Sequence, residues 1–252
     1  MKKTIGVIDS GIGGLTFVQE IQKQKLNVNL LYVCDSRNVP YGGKSQGFMK
    51  ERIEIMMQNL LGKKIDAVLM ACNTLTAETI DGLRSRFHLP IVGIEPYMRH
   101  AKLTTSQAKY ALILTPATFS SKRFQKLQME NDPASKIDVF PLTKLAMLIE
   151  SLKNNPFDAI REEVSKELLI LKDKGYTHLI LGCTHYTIIS RWIESYLNVE
   201  VVDPTRNVIE HMKMMLSLGS STPDESFLYS EDCGERWDSK AMKDFAFMDF
   251  AV

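Results

Sequence analysis

The chain has 252 residues, and its 31 Lys and Arg stand against 30 Asp and Glu, a formal charge of +1. That length holds one large α/β domain or two small ones. Hydrophobic residues at 44%, charged residues at 24%, 14 Gly and 9 Pro are globular usage, which excludes collagen-like, disordered and disulfide-scaffold chains, while the balanced charge gives no field aimed at nucleic acid, an anionic membrane or an acidic partner.

The first strand candidate, Thr4–Ile8, is broken by Asp9, too early for a signal-peptide core, and no apolar stretch approaches the roughly 18 residues of a membrane span. A cytoplasmic protein with reduced thiols is expected. After the strand comes Asp9-Ser10-Gly11-Ile12-Gly13-Gly14. A dinucleotide fingerprint would need Gly at position 16, where Thr16 stands, and no GxxxxGK[ST] follows. The loop therefore reads either as a turn opening a helix or as a tight backbone whose N–H groups can approach a small anion. An acid at its head argues against phosphate.

Further strand candidates are Leu30–Cys34, Ala67–Ala71, Ile91–Gly93, Tyr110–Leu114, Ile137–Phe140, His178–Leu181 and Glu200–Val202. Helical patterns follow most of them. Gln46 to Leu61 sets Phe48, Ile53, Met56, Met57, Leu60 and Leu61 near one face, and Phe157 to Leu171 does the same with Ile160, Val164, Leu168 and Leu171, both stripes reading as core packing. The tail is helix-like over Val208–Leu218 and then turns at Gly219–Pro223. Short apolar runs alternating with helices predict βαβ units on mainly parallel sheets. A boundary is expected near Pro96 and the polar stretch Thr104–Gln107.

Two segments share one pattern: Asp66-Ala-Val-Leu-Met-Ala-Cys72-Asn-Thr74 and Thr177-His-Leu-Ile-Leu-Gly-Cys183-Thr-His185, 111 residues apart. Each is a buried-looking strand, a small residue, a Cys and a polar pair before a helix. Alone, a Cys at a strand end is usually a small buried hydrophobe. Two in matching places of two similar halves are harder to assign to packing, and both would sit at helix N-termini, where dipole and free N–H groups favour thiolate. Cys34 and Cys233 lack such company and read as packing or surface thiols, and so do His88, His100, His178 and His211 as structural or surface residues.

A reaction that needs two thiols on opposite sides of one substrate is racemisation. One thiolate removes the α-proton while the other thiol supplies a proton to the opposite face, the roles exchanging in reverse. Because the α-proton is far less acidic than a thiol, aimed donors such as Asn73, Thr74 and Thr184 must stabilise the carbanionic transition state. Asp9 could adjust the proton on Cys72, and His185, two residues from Cys183, titrates in the useful range. A Cys183/His185 metal site is disfavoured for want of further marked ligands.

These residues, with Pro40-Tyr41-Gly42, Val92-Gly93-Ile94-Glu95-Pro96, Thr115-Pro116-Ala117-Thr118 and Gly182-Cys183-Thr184-His185-Tyr186, make the chain strongly resemble the glutamate racemases of the aspartate/glutamate racemase family. The resemblance implies two flavodoxin-like α/β domains with the substrate between them, the first comprising 1–97 and 208–252 and the second 98–207. It implies Cys72 and Cys183 as the catalytic acid/base pair, Asp9 assisting the first and His185 and Glu150 the second. Glu150, in a helical Leu145–Leu152 segment, would otherwise read as a surface residue. Substrate contacts carried over are Ser10, Tyr41, Gly42, Asn73, Thr74, Thr118 and Thr184, with glutamate as substrate, no cofactor, no metal and a homodimer as the assembly. His185 after Cys-Thr favours glutamate over aspartate. Thr187, Ala117, Asp203-Pro204-Thr205-Arg206 and Ser230-Glu231-Asp232 depart from the family pattern without removing an acid, base or thiol, so an aspartate racemase and a non-catalytic amino-acid sensor stay as alternatives.

Overall fold

The structure is a computed structural model and describes residues 2–99, 108–222 and 225–251. His100, the stretch Thr104–Gln107 and Pro223 lie outside the described residues. In chain order the first sheet is built from β1 (Lys3–Ile8), α1 (Leu15–Lys23), β2 (Val28–Val33), α2 (Gln46–Leu61), β3 (Ala67–Met70), α3 (Asn73–Arg86) and β4 (Ile91–Gly93). The second comprises β5 (Tyr110–Leu114), α4 (Pro116–Ser120), α5 (Lys122–Asn131), β6 (Ile137–Pro141), α6 (Leu145–Glu150), α7 (Phe157–Leu168), β7 (His178–Gly182), α8 (Thr184–Ile188), α9 (Ser190–Leu197) and β8 (Glu200–Val202). The chain then returns through α10 (Thr205–Leu216), β9 (Ser226–Ser230) and β10 (Asp238–Ala241).

All eight predicted strands are present, their ends moved by no more than two residues. Their near-continuous apolar runs follow from burial on both faces, as in Ala67–Met70, where every side chain is buried. The sequence pattern did not predict β9 and β10. In the first sheet the order is β10-β9-β2-β1-β3-β4, and in the second β6-β5-β7-β8. All pairings are parallel except β9 with β10. With the returning β9 and β10 set aside, both halves run in one order, second strand, first, third, fourth, which is the flavodoxin-like arrangement.

The helices cover both faces of each sheet. On one face of the first sheet, Met49, Met56 and Leu60 of α2 and Leu75 and Leu83 of α3 pack with Ile8, Val68 and Met70. Ser45 caps α2 by accepting from the Phe48 N–H at 3.3 Å. The predicted stripe there shifts slightly, because Met49 is buried while Leu61 is 39% exposed. A single apolar cluster then joins the halves, holding Leu15 and Phe17 of α1, Ile209 and Met212 of α10, and Tyr186 and Ile193 of α8 and α9. In the second half α7 stops at Leu168, short of the predicted Leu171, which is nonetheless buried. Among the described residues no helix is long and apolar enough to cross a membrane.

Candidate active site

In an open α/β sheet, ligands sit at the carboxyl ends of strands where the strand order reverses. The reversal falls between β1 and β3 in the first sheet and between β5 and β7 in the second. Asp9 directly follows β1 and Cys72 follows β3 after Ala71; Thr115 and Cys183 directly follow β5 and β7. The topology thus puts the two cysteines at equivalent places, each at the N-cap position of the next helix. Thr115 was not among the predicted site residues, although its place after β5, matching Asp9 after β1, was the available signal.

The glycine loop after β1 does cradle anions, and they are the protein's own. Gly11 N donates to Asp9 Oδ1 at 2.8 Å, and Ile12 N donates to Glu150 Oε2 at 2.9 Å. The glycines serve close approach of the two halves. A Cβ on Gly11 would strike the Glu150 carboxylate, and one on Gly13 would strike Thr184 Oγ1 and come within 2.7 Å of the His185 backbone N. Thr184 Oγ1 donates to Asp9 Oδ2 at 3.0 Å, a further tie between the halves. Asp9 is fully buried; burial raises its pKa, against the lowering pull of His185 and of the Gly11 and Thr184 hydrogen bonds.

Cys72 is 5% exposed, and its sulfur lies 3.6 Å from Ser10 Oγ. Burial and the neighbouring Asp9 charge push the thiol up to about 12, outweighing the Leu75 N–H and Ser10. Burial and the Asp9 charge thus work against the thiolate that the helix end at Cys72 favours.

Cys183 is 8% exposed and caps a helix of only five residues, so its partner is a side chain. Its sulfur stands 3.9 Å from His185 Nδ1, while His185 Nε2 is 2.8 Å from Glu150 Oε2. Burial opposes charge on His185, but the hydrogen bonds to Cys183 and Glu150 outweigh it and hold the imidazole pKa well above its usual value. For Glu150, burial works upward and is outweighed by His185, the Ile12 N–H and Lys153, so its pKa is lowered. Glu150, His185 and Cys183 thus form a chain of contacts that ends at the sulfur. Glu150 reaches His185 from the end of α6.

Among the other predicted contacts, Thr74 Oγ1 lies 2.9 Å from Thr115 Oγ1 and 3.2 Å from Thr118 Oγ1, joining α3 to α4 by hydroxyls. Asn73 is 3% exposed, and neither atom of its amide has a hydrogen-bond partner. A cavity of about 10 Å³ lined by Asn73, Ile94, Thr118 and Phe124 lies beside it. Gly42 packs on Thr115, where a Cβ would come within 2.8 Å of the threonine Cβ. The Tyr41 hydroxyl donates to Asp35 Oδ2 at 2.7 Å. Cys34 and Cys233 are both fully buried, and burial pushes each up to about 12, in keeping with packing thiols. A larger cavity, about 430 Å³ and lined by Glu95, Pro96, Arg123, Pro204 and His211 among others, has neither Cys72 nor Cys183 in its wall.

A family model described as Asp/Glu/hydantoin racemase matches residues 5–212. A glutamate racemase of Clostridium acetobutylicum is 34% identical over 220 residues, 84% of this chain and 83% of that protein. The crystal structure of a Bacillus anthracis glutamate racemase superposes with a TM-score of 0.73 at 29% identity, covering 85% of this chain and 82% of that one. A Francisella tularensis glutamate racemase in complex with D-glutamate superposes with a TM-score of 0.70 at 28% identity, covering 90% and 86%.

Proposed function

The chain belongs to the Asp/Glu/hydantoin racemase family, and from that premise we propose that it interconverts L- and D-glutamate without a cofactor, by proton transfer through Cys72 and Cys183. The observation that carries this is the pair of cysteines at equivalent strand ends of two like-ordered sheets, each with its own proton-adjusting neighbours. In one direction a thiolate at Cys183 takes the proton from Cα, forming S–H and leaving a carbanion delocalised into the α-carboxylate. The Cys72 thiol then gives its proton to the opposite face and becomes the thiolate. The reverse direction exchanges the roles, so no atom is gained or lost. Asn73, Thr74, Thr118, Ser10 and Thr184 are neutral donors suited to the substrate's two carboxylates, and Tyr41 and Gly42 would contribute through backbone rather than hydroxyl. His185 and Glu150 trade charge with Cys183; Asp9 keeps Cys72 protonated until a base is needed.

We infer further that the product D-glutamate supplies peptidoglycan, that the protein is cytoplasmic and that it works as a homodimer. We place the domains at 1–97 with 208–252 and at 98–207.

Incubation of each glutamate enantiomer in D2O, with L-aspartate alongside, tests the reaction. The expected result is deuterium at Cα and the opposite enantiomer from either glutamate, and little from aspartate. No exchange from either enantiomer would sink the assignment, and faster turnover of aspartate would reassign the substrate. Cys72→Ser and Cys183→Ser are each expected to lower kcat by about 100-fold or more. Full activity in one of them would remove that thiol from the mechanism.

A further inference from the structure

Resting on the two-cysteine reading above, we propose that Lys153 is a positioning residue for the acid/base set at Cys183, clasping the two halves of the molecule together and holding the Glu150 carboxylate against His185. Lys153 ends the 3-10 turn Ser151–Lys153 that continues α6, one short turn beyond Glu150. Its ammonium reaches three groups: Ser36 Oγ at 3.0 Å, Glu150 Oε1 at 3.6 Å and Glu231 Oε2 at 3.6 Å. Ser36 follows β2 and Glu231 follows β9, and these two loops are bonded to each other, Ser36 N donating to the Glu231 carbonyl at 3.0 Å. One cation from the second half thus grips a paired loop of the first.

The two oxygens of Glu150 are used unequally. Oε2 takes the Ile12 N–H and His185, whereas Oε1 is buried with no hydrogen-bond partner. The charge that faces Oε1 is Lys153. An exposed i,i+3 ion pair contributes almost nothing. This one differs because the Glu150 side chain is only 11% exposed and that of Lys153 25%, so losing the cation leaves a buried carboxylate oxygen with nothing to offset its desolvation. The other titratable groups around Glu150 are His185 on α8, Asp9 at the end of β1, and Cys34 and Tyr32 of the β2 segment. Beyond Glu231, Lys153 faces a cavity of about 370 Å³ whose wall also holds Asp232, Arg236, Asp238 and Lys240. Of these, Lys153 and His185 are the cations directly paired with Glu150. Lys153 lowers the Glu150 pKa, so without it Glu150 takes up a proton at higher pH and ceases to accept from His185.

The test compares full-length Lys153→Met, Lys153→Gln and Lys153→Arg, reading kcat and KM for both glutamate enantiomers across pH. With Lys153→Met, kcat near neutrality is expected to fall about tenfold, KM to change less than about twofold, and the acid limb of the kcat profile to move up by about one pH unit. Lys153→Arg is expected to restore the limb and most of the rate. A folded Lys153→Met enzyme whose acid limb stays in place, or an arginine variant as impaired as the methionine one, overturns the proposal. Lys153→Gln keeps a donor for Ser36 and loses the charge alone. It carries the same expectation and the same failure should the methionine variant not fold. Cys72→Ser and Cys183→Ser, run in parallel, separate the two ideas: full activity in either defeats the two-cysteine reading, whereas two cysteine variants slowed about 100-fold or more beside an unmoved limb defeat only the role of Lys153.

Discussion

Asn73 is buried at 3% exposure with both amide atoms unpartnered, an arrangement that costs about 1–3 kcal/mol in the free protein. A substrate carboxylate accepting from Nδ2 would offset that cost on binding. Asn73→Leu, close in shape and without polar atoms, is therefore expected to raise the thermal midpoint of the free protein by several degrees and to raise KM for glutamate about tenfold or more. A lower midpoint together with an unchanged KM would show that the amide is not held for a ligand. Asp35 presents the opposite case, a buried carboxylate fully supplied by Tyr41 Oη and Arg52 Nε at 2.7 Å and Asn38 Nδ2 at 2.9 Å. Burial works to raise its pKa but these donors outweigh it, so the value is lowered. Its contribution to stability is present above about pH 3.9, the unfolded value, and is lost as pH falls through the folded one. Asp35→Ala strands Arg52 and Tyr41, and urea denaturation at neutral pH is expected to show a loss of about 3 kcal/mol that shrinks towards acid.

At the scale of elements, two strand–helix junctions of the same design treat their sulfurs differently. Cys72 caps a helix of 14 residues, yet burial and Asp9 push its pKa up; Cys183 caps a helix of five residues, with His185 Nδ1 at 3.9 Å. A carboxyl group, Asp9, stands near one sulfur, and an imidazole backed by Glu150 stands at the other. The glycine loop sets the distance between the junctions. Since the backbone of His185 cannot yield to a Cβ at Gly13, Gly13→Ala is expected to keep its far-ultraviolet circular dichroism while kcat/KM falls about 100-fold. Activity equal to the unsubstituted protein would mean that the halves need not approach so closely.

Across the whole molecule, every proposed acid, base and donor is 9% exposed or less, so the site lies buried between the halves. The groups that draw them together also depend on pH. Glu150, with its lowered pKa, contributes stability present above about pH 4.3 and lost as pH falls through the folded value. His185, with its raised pKa, contributes stability fully present below about pH 6.5 and lost as pH rises through the folded value. Chemical denaturation across pH is expected to show a plateau between these limits, and His185→Gln to lower the plateau and flatten its alkaline edge. An alkaline decline of equal size in the variant would assign it to another group. Glutamate at 100 times its Kd should add about 2.7 kcal/mol on top.

Eight strands, the parallel sheets and the matched Cys72 and Cys183 junctions are legible in the amino-acid order, because burial on both faces of a strand writes a continuous apolar run into the chain. The strands β9 and β10 are not, since only Phe227, Tyr229 and Ser230 of Ser226–Ser230 are buried and Asp238–Ala241 has no buried side chain at all, so neither carries a continuous apolar run. Nor could a pattern single out Glu150 or Lys153, whose spacing on a helix matches any surface pair. Local order carries which residues are buried and on what period. Which carboxylate meets His185, and which groups surround each thiol, is decided by desolvation and by contacts between distant segments, Ile12 with Glu150 across 138 residues and Asp9 with Thr184 across 175, and these meet only where the two sheets face each other.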